Sequence, residues 1–395
     1  MENDSNNRGE KFYKQYLLIK NMRFFFQKKF IPMLIAASII SYFTLYSAGS
    51  IFGQPAIAEP LFTSTRNFFD TNTGTLLHSG LLPEPAASSL FNQEANNCPN
   101  EIAIYVHGVW ASENSAKEQT GRIGLSLASL NNTIPLIGYT WDSNTPFSLV
   151  DPFLSQEGWH IAKIIAKENG PLLAKFIIDF NDNCPNSEIR IMAHSLGSRV
   201  VLSALDYLFN HQNDFNINNQ TSKIIKSVHL MGAAVDNEEV SLNSITGFNN
   251  PFPWFAISSC TIDESGVKFA YGKSIQNIVE DFYNLVNSED NVLQRFYPCA
   301  EGGNGALGQS GKDDDNSVQT PANYHDIEGI EAEIKPGLDA NADGEADFGL
   351  CLFAFCDRDP GDNHAGYMGY RDIQDKNTID DDGIMDLVVQ IWQSQ

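Results

Sequence analysis

The chain has 395 residues and is strongly acidic, with 49 Asp and Glu against 25 Lys and Arg and a formal net charge of −24. With 42% hydrophobic residues it can bury a sizeable core, as one large domain with insertions or as two modest ones, which sets aside a disordered or fibrous chain. A surface this negative argues against nucleic acid as a partner. The excess is uneven, since residues 301–390 carry 21 acidic and 5 basic side chains.

In chain order, Arg23, Lys28 and Lys29 precede an apolar stretch from Phe30 to about Phe52, which closes on Gly53-Gln54-Pro55-Ala56-Ile57-Ala58. Basic flank, apolar run and small-x-small site describe an export signal over residues 1–58 with cleavage after Ala58. The length of the run also allows, as the second reading, an uncleaved N-terminal membrane anchor, and with it membrane association. Both readings place residues 59–395 outside the cytoplasm, at the cell surface or in the extracellular medium. All six cysteines lie beyond this segment, an even number in an exported chain, so disulfides are expected. Cys98-Pro99-Asn100 and Cys184-Pro185-Asn186 each precede an apolar strand pattern; if those strands are parallel neighbours, Cys98 and Cys184 share one sheet edge and can be bridged. Cys260–Cys299 and Cys351–Cys356 are the remaining pairings. Asn131-Asn132-Thr133 and Asn219-Gln220-Thr221 fit the glycosylation acceptor pattern.

From residue 100 onward short apolar runs alternate with helical patterns, the mark of strand-helix-strand units and a mostly parallel sheet with helices on both faces. The pattern predicts strands at 102–106, 134–140, 189–192, 224–231 and 282–286. Helices are predicted at 116–130, 158–180, 197–210 and 274–280, with a last amphipathic one at 383–392. Two stretches break the alternation. Residues 236–273 carry Phe248, Phe252, Trp254 and Phe255 among prolines and asparagines, which suits a lid-like insertion or a packed surface loop. Residues 300–360, rich in glycine and acid, read as a long acidic loop insertion.

The strand at 189–192 runs into Ala193-His194-Ser195-Leu196-Gly197 and then directly into a helix. A nucleophilic serine needs such a strand-turn-helix setting: the turn lifts its hydroxyl out, its flanks must be small, and the helix N-terminus favours developing negative charge. Serine also needs a base to take its proton and a carboxylate to orient that base. In this type of site the acid and then the histidine follow the serine. His211 comes too soon after the turn, and His229 sits inside an apolar strand. His364, in Asp362-Asn363-His364-Ala365-Gly366-Tyr367, lies in a polar loop before the last helix, with His325 as reserve. Asp290 directly follows the 282–286 strand and fits a tight turn better than Glu289, with Asp236 as the alternative. Val106-His107-Gly108-Val109-Trp110 ends the first strand where an oxyanion loop belongs, so the amides of Val109 and Leu196 are the natural donors, with His107 as scaffolding.

Three segments together resemble the α/β-hydrolase superfamily: Ile104-Tyr105-Val106-His107-Gly108, then Tyr139-Thr140-Trp141-Asp142-Ser143, then Ile191-Met192-Ala193-His194-Ser195-Leu196-Gly197. Within it the chain is similar to an esterase/lipase-like group of largely undefined substrate, with His364-Ala365-Gly366-Tyr367 matching that group's late His-Ser-Gly-Tyr. The resemblance covers roughly residues 100–300 and 362–370 and implies Ser195 as nucleophile, Asp290 as acid and His364 as base. Asp142 stands where the group has proline, and the step from Asp290 to His364 is longer than usual.

Asp339-Ala340-Asn341-Ala342-Asp343-Gly344-Glu345-Ala346-Asp347 follows the first nine positions of a calcium loop, with oxygen donors at Asp339, Asn341, Asp343, Glu345 and Asp347. Leu350 stands where the closing carboxylate belongs, as in shortened loops. The expected function is hydrolysis of a carboxylic ester, small or lipid, through an acyl-enzyme that needs no catalytic metal or organic cofactor, with a structural calcium as an addition. Peptide or amide hydrolysis on the same residues, or a non-catalytic calcium-dependent surface binding protein, are the alternatives.

Overall fold

Ile102, Ile104 and Val106 point to one side of a strand and Ala103 and Tyr105 to the other, and all five are buried. A strand covered on both faces belongs inside a parallel sheet layered by helices. The computed structural model describes residues 59–91, 98–146, 152–214, 223–243, 270–295, 297–301, 305–313, 318–330, 363–371 and 378–395. These all belong to the unit Ile57–Gln395. The segment 1–58, most of the 236–273 stretch, the Asp339–Asp347 loop, the Asn219 acceptor, Cys260, Cys351, Cys356 and the side chain of Cys299 lie outside the described residues.

Seven strands build the sheet: β1 (Leu61–Ser64), β2 (Glu101–Val106), β3 (Leu136–Thr140), β4 (Glu188–His194), β5 (Ile225–Met231), β6 (Val279–Leu285) and β7 (Tyr324–Ile327). Their order is β1-β3-β2-β4-β5-β6-β7, and every neighbouring pair is parallel. The crossovers are α1 (Glu113–Ser129), α2 (Pro152–Asn183), α3 (Gly197–Asn210) and α4 (Gly272–Ile278), and α5 (Met385–Ser394) closes the chain. Val200, Val201, Ala204, Leu205 and Leu208 of α3 join Ala162 and Ile165 of α2 against Ile104, Ile191 and Val228. On the opposite face Ile123 and Leu127 of α1 meet Val388 and Trp392 of α5, together with Tyr105, Met192 and Met231 of the sheet.

Two details show how local chemistry fixes this packing. Pro171 lies inside α2 and has no N–H, so the Lys167 carbonyl loses its intrahelical donor. Ser203 of α3 supplies one instead, its Oγ donating to Lys167 O at 2.7 Å. A disulfide joins Cys98, just before β2, to Cys184, just before β4, with Cα atoms 5.6 Å apart. The parallel pairing of β2 with β4 brings the two cysteines to one edge, as expected.

Two strands of the seven-stranded sheet were not foreseen. β1 is four residues long, and β7 falls inside the stretch read as an acidic loop, so the 300–360 segment is not all loop: it also holds a helical turn at Leu307–Ser310. The helix expected to reach residue 280 ends at Ile278, because Glu280 belongs to β6, where it pairs with Lys226 of β5 at 2.8 Å. Residues 363–368 form a 3-10 helix instead of an open loop, followed by a short antiparallel pair, Tyr370–Arg371 with Ile379–Asp381.

Candidate active site

Ser195 stands between the last residue of β4 and the first of α3 with φ of +54°, a left-handed backbone that a non-glycine residue adopts only under constraint. The constraint is visible. Ser195 N donates to Met231 O at 3.0 Å, and Ala234 N donates to Ser195 O at 3.2 Å, so the turn is pinned to the end of β5. Its flanks are small because they are crowded. A Cβ on Gly197 would stand 2.5 Å from Val106 O, and one on Gly108 would stand 2.8 Å from Ser195 Cβ. The loop after β2 therefore lies in contact with the serine turn.

That loop is braced by groups on β3 and just beyond it. His107 donates through Nδ1 to Gly108 O at 2.8 Å, while its Nε2 accepts from Trp141 N at 3.2 Å. Trp141 Nε1 donates back to His107 O at 2.9 Å, and the two rings stack nearly parallel with their centroids 5.6 Å apart. Burial, with the nearby Arg66 charge, pushes the His107 pKa down to about 3, so the ring is a neutral strut. Trp110 N donates to Ser143 O at 2.8 Å. The Trp141-Asp142-Ser143 segment is thus the scaffold of the loop. Asp142 extends it by accepting from the backbone N–H groups of Asn67 and Phe69. The amides of Val109 and Leu196 make no hydrogen bond among the described residues, which leaves two donors beside the serine.

Asp290 is fully buried in the turn after β6, where its Oδ1 accepts from Leu293 N at 3.0 Å. Its Oδ2 meets Nδ1 of His364 at 2.7 Å. His364, 8% exposed, lies on the 3-10 helix Asn363–Met368. A Cβ on Gly232 would stand 3.1 Å from Nδ1 and Cε1 of its ring, and Gly232 follows the Met231 carbonyl that holds Ser195. The serine turn and the Asp290–His364 pair therefore meet at the end of β5.

The other candidates lie elsewhere. His325 is on the edge strand β7, 42% exposed by its side chain, stacked on Tyr283 and 3.6 Å from Asp281. Asp236 accepts from Tyr297 Oη at 2.8 Å and faces no histidine among its described hydrogen bonds. It belongs to a buried polar cluster that the sequence did not signal. There Arg199 pairs with Glu239 at 3.0 Å, while Glu301 takes Lys163 Nζ and Trp159 Nε1, each at 2.6 Å. His229 is a core residue whose Nε2 accepts from Trp392 Nε1 at 2.8 Å.

A parallel sheet layered by helices, with a strained serine between a central strand and its helix, is the α/β-hydrolase fold. Residues 84–264 match the family described as "Alpha/beta hydrolase of unknown function (DUF900)". No curated protein matches the sequence. Among solved structures the chain is similar to a Trichoderma reesei cutinase, at 18% identity over 38% of this chain and 59% of that one, with a TM-score of 0.21. It is also similar to Aspergillus fumigatus lipase B, at 15% identity over 70% and 55% of the two chains and a TM-score of 0.29. A Listeria innocua protein, the lin2722 product, matches at 9% identity over 58% and 84%, with a TM-score of 0.30. The matched part spans less than two thirds of the cutinase and of the lipase.

Proposed function

We propose that this chain is an exported serine hydrolase that cleaves carboxylic esters. The observation that carries the reading is the 2.7 Å bond between Asp290 and His364 Nδ1, beside a serine held at positive φ. A carboxylate on Nδ1 fixes the tautomer in which Nε2 carries no proton and can accept one, and it supports the imidazolium that results. In this mechanism Ser195 Oγ attacks the acyl carbon while His364 Nε2 accepts the hydroxyl proton. The negative charge that develops on the carbonyl oxygen falls to the amides of Val109 and Leu196, which have no other described acceptor. Collapse releases the alcohol, protonated by His364, and leaves an ester on Ser195. Water, deprotonated by the same nitrogen, then attacks that ester; collapse breaks the acyl bond to Ser195 Oγ, which takes the proton back from His364, and releases the carboxylic acid. Every proton moves within the triad, so the cycle calls for no metal or organic cofactor. The Cys98–Cys184 bridge supports the export reading, since structural disulfides persist in oxidising compartments.

Turnover of p-nitrophenyl esters tests the assignment. Ser195→Ala and His364→Ala should each lower kcat by roughly 10⁴-fold or more, because residues that act as a unit fail together. Loss of turnover in Ser195→Ala alone, with His364→Ala unaffected, would remove His364 as the base.

A further inference from the structure

His194 is the last residue of β4 and shares a sheet face with Met192, the face on which the 3-10 helix Asn363–Met368 packs. Its Nε2 lies 2.7 Å from the backbone carbonyl of His364, and the two rings are 4.7 Å apart. A carbonyl only accepts, so Nε2 carries the proton and Nδ1 does not. Nδ1 is buried and has no partner among the described residues, beside the position that a Gly108 Cβ would occupy at 3.2 Å. Burial, with the neighbouring His364, holds the ring well below the ordinary histidine pKa. A neutral ring here adds no charge to oppose an imidazolium on His364.

We propose that His194 is a positioning residue: it ties the backbone of His364 to the serine turn, so that base and nucleophile keep one separation while Asp290 sets only the ring's rotation. The inference rests on the reading of Ser195 and His364 given above. His364 rides on a short six-residue 3-10 helix, not on a strand of the sheet, so its distance from the nucleophile needs a fixed point. His194 supplies one because it is the residue next to Ser195 and its own backbone is locked in β4. A bond to the carbonyl leaves both ring nitrogens of His364 to their own work, whatever its charge.

The test compares full-length His194→Leu, His194→Gln and His194→Asn with the wild type and with His364→Ala. Leucine fills the space without a donor, glutamine places an N–H near the Nε2 position, and asparagine is too short to reach. A misplacement of about an ångström costs up to roughly 100-fold in rate, so kcat for ester turnover should fall at least about tenfold in the Leu and Asn variants with KM little changed. The Gln variant should recover most of it. If His194→Leu does not fold, the Gln and Asn pair decides. Equal kcat for Gln and Asn, or wild-type kcat in a folded Leu variant, overturns the inference provided His364→Ala is inactive. An active His364→Ala would instead overturn the underlying site assignment, and the positioning role with it.

Discussion

At the scale of single residues the site depends on two kinds of constraint, one steric and one electrostatic. The steric one is legible in sequence: Gly108 and Gly197 are glycines because a Cβ at either would enter the space of Ser195 or of the Val106 carbonyl. The electrostatic one is legible only in part. Asp290 and His364 are far apart in sequence and meet through the fold at 2.7 Å. Asp290→Asn keeps the shape but puts an amide where the imidazole needs an acceptor, favouring the wrong tautomer. A fall in kcat of roughly 10⁴-fold is expected, with the protein still folded. A loss below tenfold in steady-state turnover would place the orienting group elsewhere. The role of Trp141-Asp142-Ser143 was visible as a motif but not as a scaffold, because the stacking of Trp141 on His107 is a contact across strands.

At the scale of elements, the strands that read clearly are those buried on both faces, β2, β4 and β5, whose near-continuous apolar runs leave little alternative. Those that did not read, β1 and β7, are four residues each. β7 is Tyr-His-Asp-Ile at the sheet edge, set in acidic sequence, while β6 read only from Phe282 on, because its opening Val-Glu-Asp resembles a helix end until Lys226 is seen beside Glu280. Helix α3 read correctly from end to end, since its apolar spacing and the elbow before it agree. Its contact with α2 holds a test of how the helix after Ser195 is seated. Ser203→Ala removes the donor that Pro171 makes necessary and leaves the buried Lys167 carbonyl unsatisfied, a loss of about 1–3 kcal/mol. Chemical denaturation should show the midpoint falling accordingly. Replacing Pro171 by Ala in the same background restores an intrahelical N–H and should recover part of it, whereas no recovery would break the link between the two residues.

At the scale of the whole molecule the acidic surplus reaches the interior. Asp236, Glu239 and Glu301 are buried in the same region as Arg199, with Lys163 beside Glu301. Burial raises Glu239 and Glu301, each to about 7, against the attraction of Arg199 and Lys163 respectively. The folded state therefore binds a proton that the unfolded chain, with an ordinary value of 4.5, has released. Stability from this cluster is fullest below the unfolded value and is lost as pH climbs toward 7. Glu239→Gln removes one of the ionisations and places its amide on the side where Oε2 has no hydrogen bond. Urea midpoints at pH 5, 6 and 7 should show the wild type losing stability relative to Glu239→Gln as pH rises. Parallel curves would mean that the cluster does not hold this proton.

The account's central claim is that Ser195 is an activated nucleophile. It is tested most directly by treating the folded full-length protein with a fluorophosphonate and mapping the adduct by peptide mass spectrometry. A single phosphonyl group on Ser195, absent from His364→Ala, is the predicted result. A folded wild-type protein that leaves Ser195 unmodified, or that carries the label on a different serine, would contradict it.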